Sequence, residues 1–112
     1  MRITYANNKV RKCFEDYERM KKELPAEWVR QIKKHIDWLK AFDTFGEYLD
    51  FGIGHPEPLK GKDKGKYSVR ITGNARLILR PDEMNKAVTI CKVIEVEGVV
   101  DYHGGKEKWY IS

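Results

Sequence analysis

The first forty residues follow the period of an amphipathic α-helix. Apolar residues recur at steps of three and four, at Val10, Cys13, Phe14, Tyr17, Met20 and Leu24, and this spacing predicts one helix. Pro25 prevents simple continuation but suits the first turn of a second helix, whose inner face would carry Val29, Ile32, Ile36, Leu39 and Phe42. The pattern therefore predicts two consecutive helices, and Arg2–Tyr5 before them is a candidate short strand.

The helical period fades between Ala41 and Gly65. Glycines and prolines punctuate this stretch, at Gly46, Gly52, Gly54, Pro56, Pro58, Gly61 and Gly65. Both residue types favour turns and interrupt regular structure. The sequence predicts a loop here, with at most one helical turn near Glu47.

From Lys66 onward the apolar positions alternate with a period of two, which predicts β-strands. One strand would cover residues 66–72, and Gly73-Asn74 marks a tight hairpin into a second strand over 75–80. A second turn over Pro81 to Lys86 would lead to a third strand over Val88–Val96. Gly98 is expected to bend that strand, so that residues 99–103 form its continuation or a final short piece.

Two helices followed by three or four strands predict an α+β fold. One face of the antiparallel sheet would pack on the helices and the other would stay open, with Arg70 on the open face. A chain of 112 residues is most simply a single domain spanning residues 1–112.

The charge balance adds a preference for an anionic partner. The chain has 22 Lys and Arg against 17 Asp and Glu, a net charge of +5, which favours nucleic acid without proving it. Basic residues on the two helices form either a solvated face or a surface that guides RNA. No apolar run reaches the roughly 18 residues that span a bilayer, and the N-terminus lacks a signal-peptide core, so a cytoplasmic location is predicted. Cys13 and Cys91 are interpreted as reduced core residues.

Four segments of the strand region carry polar side chains suited to a phosphodiester. They are Pro58-Leu59-Lys60-Gly61, Tyr67-Ser68-Val69-Arg70-Ile71, Asn74-Ala75-Arg76-Leu77-Ile78 and Asp101-Tyr102-His103. Their order and spacing resemble the HigB branch of the RelE/ParE toxin superfamily, the plasmid maintenance killer-type toxins. The resemblance covers residues 59–103, and the preceding helices have the expected order.

The resemblance implies a RelE-like fold in which two N-terminal helices pack on a small twisted antiparallel sheet of three to four strands. It implies the toxin of a type II toxin-antitoxin pair, held inactive by a cognate helix-turn-helix antitoxin through which alone it reaches operator DNA. Most members of that branch are ribosome-dependent endoribonucleases that cut translated mRNA and use no metal or cofactor. A membrane partner is not expected.

The resemblance also assigns residues to the site. It places catalytic roles on Lys60, Arg76, Tyr102 and His103. It extends substrate binding to His55. Arg70 on the open face is equally suited to binding a phosphate and to a salt bridge across strands, and the basic loop adds Lys62, Lys64 and Lys66.

Metal-free RNA cleavage needs groups that these residue types supply. A base takes the proton from the 2′-hydroxyl, donors stabilise the phosphorane oxygens, and an acid protonates the departing 5′-oxygen. His103 is the candidate base or acid, since imidazole holds either protonation state near neutral pH. Arg76 would clamp the phosphate. Lys60 would neutralise charge or carry a proton, and Tyr102 would stack on a base, orient the phosphate or donate a hydrogen bond.

Each residue also has an ordinary structural interpretation. Arg76 and Arg70 can pair with carboxylates on the sheet, Tyr102 can be a packed aromatic, and His103 a surface residue. Lys60 can belong to a solvated basic loop. At the level of function, the alternatives are a ParE-like inhibitor of DNA gyrase without nuclease activity and an inactive nucleic-acid-binding relative.

Overall fold

The computed structural model describes residues 1–82 and 87–112. The strands are β1 (Arg2–Tyr5), β2 (Glu57–Pro58), β3 (Tyr67–Arg70), β4 (Ala75–Pro81), β5 (Val93–His103) and β6 (Lys106–Ile111). The helices are α1 (Asn8–Glu15), α2 (Tyr17–Met20), α3 (Ala26–Ala41) and α4 (Phe45–Phe51). Two 3₁₀ turns cover Gly61–Asp63 and Val88–Ile90. No helix in the described ranges is long and apolar enough to cross a membrane.

The strands form one six-stranded sheet in which β5 has the most neighbours. The order is β1-β5-β4-β3-β2, and β6 also pairs with β5. β1 runs parallel to the first part of β5, whereas β6 runs antiparallel to its last part. Both lie on the side of β5 away from β4, so β5 joins the N-terminal and C-terminal strands to the central hairpin.

The helices cover one face of the sheet. The main core joins apolar residues of α1, α3 and α4 to the strand residues Val69, Leu77 and Val99. The ring of Phe45 in α4 meets that of Tyr67 in β3 edge to face, with centroids 5.0 Å apart. The α+β class is therefore confirmed, with one sheet face packed on helices.

The numbers of helices and strands were predicted too low. The helix predicted over 10–24 divides at Asp16, whose carboxylate accepts hydrogen bonds from the backbone N–H groups of Glu18 and Arg19 and so caps α2. The predicted loop over 41–65 contains a seven-residue helix, α4, and the short strand β2. The side chain of Thr44 caps the start of α4.

The strand predicted over 88–96 begins only at Val93, because Val88–Ile90 forms a 3₁₀ turn. The predicted turn over 81–86 lies partly outside the described residues, and β4 extends through Pro81. β6 was not predicted at all. A two-residue turn, Gly104-Gly105, creates it, with φ of +59° and +77° at the two positions, where glycine is favoured in such hairpins.

Gly98 inserts an extra residue into β5. Ile78 pairs with Gly98 and Leu79 pairs with Val96, so Glu97 has no direct partner on β4, which defines a β-bulge. Gly98 has a φ of +150°, and a Cβ at this position would lie 2.0 Å from the carbonyl oxygen of Ile111. The close approach of the C-terminal strand thus requires glycine.

Gly98→Ala is expected to lower the free energy of unfolding by roughly 2–3 kcal/mol, because it adds backbone strain and a backbone clash. Gly73→Ala is the matched control, since a Cβ at Gly73 meets nothing within 4 Å. Chemical denaturation of both variants measures the difference. Equal stability of the two variants would contradict the proposed role of Gly98.

Candidate functional site

Part of the predicted site lies on the sheet face that the helices leave open, called here the outer face. Directly paired residues of neighbouring strands share a face, and Arg70, Arg76, Val100 and Trp109 form one such row across β3, β4, β5 and β6. Val69 and Leu77, their sequence neighbours, point into the core. The row therefore lies on the outer face.

Arg76 is held by the β3–β4 turn. Its Nη1 donates to the carbonyl oxygens of Thr72, Gly73 and Ala75 at 3.1, 2.9 and 3.1 Å. Within residues 1–82 and 87–112, no carboxylate forms an ion pair with Arg76, and its Nε and Nη2 have no hydrogen-bond partner. The guanidinium is fixed in place while two donor groups stay available to an anion.

Tyr102 lies on the outer face beside Arg76. Burial raises the pKa of Tyr102, the carboxylates of Glu107 and Asp63 raise it further, and Arg76 partly opposes them. A phenol in this environment stays protonated and serves as a hydrogen-bond donor. The influence of Asp63 also shows that the loop between β2 and β3 lies near this face.

His103 ends β5 at the rim of the same region. Its Nδ1 lies 3.3 Å from Nδ2 of Asn74 in the β3–β4 turn, and the N–H of Tyr102 donates to the carbonyl of Asn74 at 3.0 Å. This contact with the Asn74 amide occupies Nδ1, so Nε2 is the ring nitrogen left for proton exchange. Sequence reasoning used Asn74 only as a turn residue and missed this orienting role.

The lysines of the β2–β3 loop divide into two groups. Lys60, Lys62 and Lys64 are exposed, and Lys64 lines an open pocket of about 620 Å³ together with Arg2 and Arg80. That pocket lies away from Arg76, toward the other end of β4. The charges of these lysines remain accessible to solvent.

Lys66 differs from the exposed lysines because it is committed to the fold. Its side chain is 19% exposed and forms ion pairs with Glu97 at 3.3 Å and Asp63 at 3.8 Å. The Glu97 contact ties the loop to β5 across the outer face, and the Asp63 contact lies within the loop. Lys66 therefore has protein partners of its own and is less available to a substrate than Lys60.

The side chains of His55 and Arg70 are both exposed, but different backbone hydrogen bonds hold the two residues. His55 has a φ of +49°, and its N–H donates to Gly52. The N–H of Arg70 donates to Gly54 at 2.8 Å, which fixes the end of β3 against this turn. Neither side chain has an ion-pair partner in the described ranges. Arg70 lies next to Arg76, whereas no hydrogen bond or ion pair within residues 1–82 and 87–112 joins the His55 side chain to Arg76.

Glu57 is a site residue that sequence reasoning missed. It pairs with Ser68 on β3, so its side chain shares the outer face and lies diagonal to Arg70, within reach of a long side chain. The signal was present in the Glu57-Pro58-Leu59-Lys60 segment, where only the lysine was considered. The exposed carboxylate adds a proton acceptor to a region otherwise rich in cations.

A buried histidine supports the site from the core side. Nδ1 of His35 lies 3.1 Å from the hydroxyl of Tyr48, and the ring also hydrogen-bonds the backbone of Arg70. Burial lowers the pKa of His35 to about 4, partly opposed by the Arg70 hydrogen bond. A Cβ on Gly54 would lie 2.7 Å from this ring. His35 therefore links α3 and α4 to the end of β3.

A largely antiparallel sheet with helices on one face, Arg76 and Tyr102 on the other and His103 at its edge fits the resemblance to RelE/ParE-like toxins. The family model of the YoeB-like toxin of bacterial type II toxin-antitoxin systems matches residues 10–94. The chain belongs to this family. The match spans Glu57, Lys60 and Arg76 but stops before Tyr102 and His103, and it does not confirm the HigB branch.

Solved structures of YoeB toxins are similar to this chain over nearly its whole length. A YoeB/ParE toxin from Agrobacterium tumefaciens is 26% identical, with 92% of this chain and 99% of that chain covered and a TM-score of 0.56. A YoeB dimer from Staphylococcus aureus is 25% identical, with 92% and 97% covered and a TM-score of 0.56. The YoeB–YefM complex from the same organism is 29% identical, with 92% and 97% covered and a TM-score of 0.55. No curated protein matches the chain.

Acid is expected to destabilise the fold through His35. Its pKa is 6.5 when unperturbed and about 4 in the fold, so the unfolded chain binds more protons between these values and stability falls as pH drops from 6.5 toward 4. The full difference corresponds to about 3 kcal/mol. Denaturation at a series of pH values should show a shallower slope for His35→Gln than for wild type.

His103→Gln is the control for this experiment, because His103 is exposed and its removal should leave the slope unchanged. A wild-type slope in His35→Gln, or an equally shallow slope in both variants, would contradict the assignment to His35.

Proposed function

We propose that this YoeB-like toxin is a metal-independent, ribosome-dependent endoribonuclease that cleaves translated mRNA by attack of the 2′-hydroxyl. The arrangement around Arg76 is the observation that carries the proposal. Arg76 lies on the outer face between a carboxylate of the same face, Glu57, and an imidazole at the end of β5, His103. Strand spacing and register place the Cα atoms of these residues about 12 and 11 Å from that of Arg76, on opposite sides of it.

This arrangement fits the requirements of in-line cleavage. The attacking 2′-oxygen and the departing 5′-oxygen lie on opposite sides of phosphorus, so a base and an acid are needed on opposite sides of a phosphate clamp. Glu57 accepts the proton of the 2′-hydroxyl and His103 delivers one to the 5′-oxygen through Nε2. Arg76 holds the phosphate oxygens through the donors that the turn leaves available.

The remaining predicted residues bind and position the RNA. Tyr102 donates its hydroxyl or stacks on a base beside Arg76, and Arg70 contacts a neighbouring phosphate. Lys60 neutralises charge from the exposed loop, and Lys62 and Lys64 guide the RNA electrostatically. Lys66 contributes by holding the loop in place, and His55 marks the edge of the binding surface.

The family and the solved YoeB–YefM complex support a cognate antitoxin as the physiological partner. We propose that the antitoxin is a helix-turn-helix protein that keeps the toxin inactive and alone contacts operator DNA. The ribosome and mRNA would be the other partners, in the cytoplasm. The resemblance to the HigB branch remains a proposal, as does a single toxin domain over residues 1–112.

His103→Ala and Glu57→Gln are each expected to slow single-turnover cleavage on ribosomes by about 10² to 10⁴ while leaving ribosome binding nearly unchanged, since positioned acid and base groups act on rate. Lys64→Ala is the matched control, because an exposed lysine remote from Arg76 should alter the salt dependence of binding and leave the rate at saturation unchanged.

Unchanged cleavage in both the His103→Ala and Glu57→Gln variants would overturn the site. Growth arrest with supercoiling defects and intact messages would instead support gyrase inhibition, and growth unaffected by expression would indicate an inactive relative.

A further inference from the structure

The C-terminal hairpin brings a tryptophan onto the outer face. Trp109 pairs with Val100, and its side chain therefore extends the row that contains Arg70 and Arg76. The indole Nε1 donates to the carboxylate of Glu107 at 2.9 Å. The residue is 36% exposed. Because its only hydrogen-bond donor is already bound to Glu107, Trp109 can contact a partner through the flat apolar surface of its ring.

Trp109 lies close to the residues proposed to act on RNA. Tyr102 pairs with Glu107, which makes Tyr102 and Trp109 diagonal neighbours, about 7–8 Å apart and within reach of aromatic side chains. Arg76 lies two strands away, at about 10 Å. A phenol, an indole and a guanidinium thus share one side of the sheet.

The other large exposed apolar residues of the described chain lie elsewhere. Phe51 and Ile90 are each 53% exposed. Phe51 ends α4 and packs on Trp38 and Phe42 of the helical layer, and Ile90 belongs to the 3₁₀ turn that contacts α4. Of these three residues, Trp109 is the one on the outer face, where it lies in the same row as Arg70 and Arg76.

We propose that Trp109 and Tyr102 form a stacking platform for unpaired bases of single-stranded RNA next to the phosphate held by Arg76. The inference rests on the proposed function, because it places RNA on the outer face. Single-stranded RNA fits better than a peptide because its bases present flat faces and its phosphates meet the arginines. The platform would select RNA that is unpaired on both sides of the cut.

A binding assay without cleavage tests this platform. The probe is a fluorescently labelled 2′-O-methyl RNA of about ten nucleotides, which cannot attack its own phosphate, and anisotropy gives the Kd. Trp109→Ala should raise the Kd roughly 5- to 150-fold, the range for one lost stacked base. Trp109→Phe should recover most of the affinity, and the same RNA in a duplex should bind no better to wild type than to Trp109→Ala.

Phe51→Ala is the matched control, since it removes an exposed aromatic ring from the helical layer and should leave the Kd unchanged. Thermal unfolding of the variants confirms that each is folded at the assay temperature. The salt dependence of binding should be the same for Trp109→Ala and wild type, because no charge is lost.

Equal Kd values for wild type, Trp109→Ala and Phe51→Ala would overturn the platform. Weakened binding of a purified antitoxin by Trp109→Ala, with RNA binding unchanged, would reassign the residue to a protein interface. Because the probe cannot be cleaved, loss of nuclease activity has no bearing on this result. A protein that binds the probe through Trp109 yet cuts no message would contradict the proposed function and retain the platform.

Discussion

The arrangement of the outer face depends on the bulge at Gly98. Glu95 and Glu97 point to the outer face in the first part of β5, where Glu97 pairs with Lys66 and Arg80. Strict alternation would then send residues 99, 101 and 103 outward and Tyr102 into the core. The extra residue reverses the phase, so that Val99 enters the core and Tyr102 joins Arg76 outside.

The same bulge makes room for the last strand. The carbonyl of Ile111 lies where a Cβ of residue 98 would be, and Ile111 is 1% exposed. Docking of Ile111 in the core fixes β6, which in turn sets Glu107 and Trp109 opposite Tyr102 and Val100. Gly98 thus determines both how the last strand docks on the core and which residues of β5 lie on the outer face. The fold would lose the site together with the strand if this position required a side chain.

The central β3–β4 hairpin and its polar residues were predictable because alternation and turn chemistry are local. The alternation of apolar and polar positions along the two strands was enough to predict the face on which Arg70 and Arg76 lie. The face of Glu57 was not predictable, since the two-residue strand Glu57–Pro58 shows no period, and only the pairing of Glu57 with Ser68 assigns its face. The same limit applied to α4, whose seven residues are too few to show a helical pattern amid glycines.

The role of Lys66 depended on distant contacts that no local pattern contains. Its partner Glu97 is far away in sequence and meets it only because β3 and β5 flank β4 in the sheet. His103 and Asn74 are likewise brought together by the sheet. The family resemblance identified His103 as a candidate, but its orienting partner required the register of β4 on β5. Sequence therefore indicated the chemical groups, and the fold decided which of them meet.

The central claim is that the outer face around Arg76 cuts RNA on the ribosome. The most direct measurement is primer extension on messages after induction, with translation active or blocked, for wild type and Arg76→Lys. We expect wild type to produce cuts within translated frames that disappear when translation is blocked, and Arg76→Lys to lose most of them, because lysine keeps the charge and loses the paired donors. Cuts that persist without translation, or that Arg76→Lys makes as efficiently as wild type, would contradict the account.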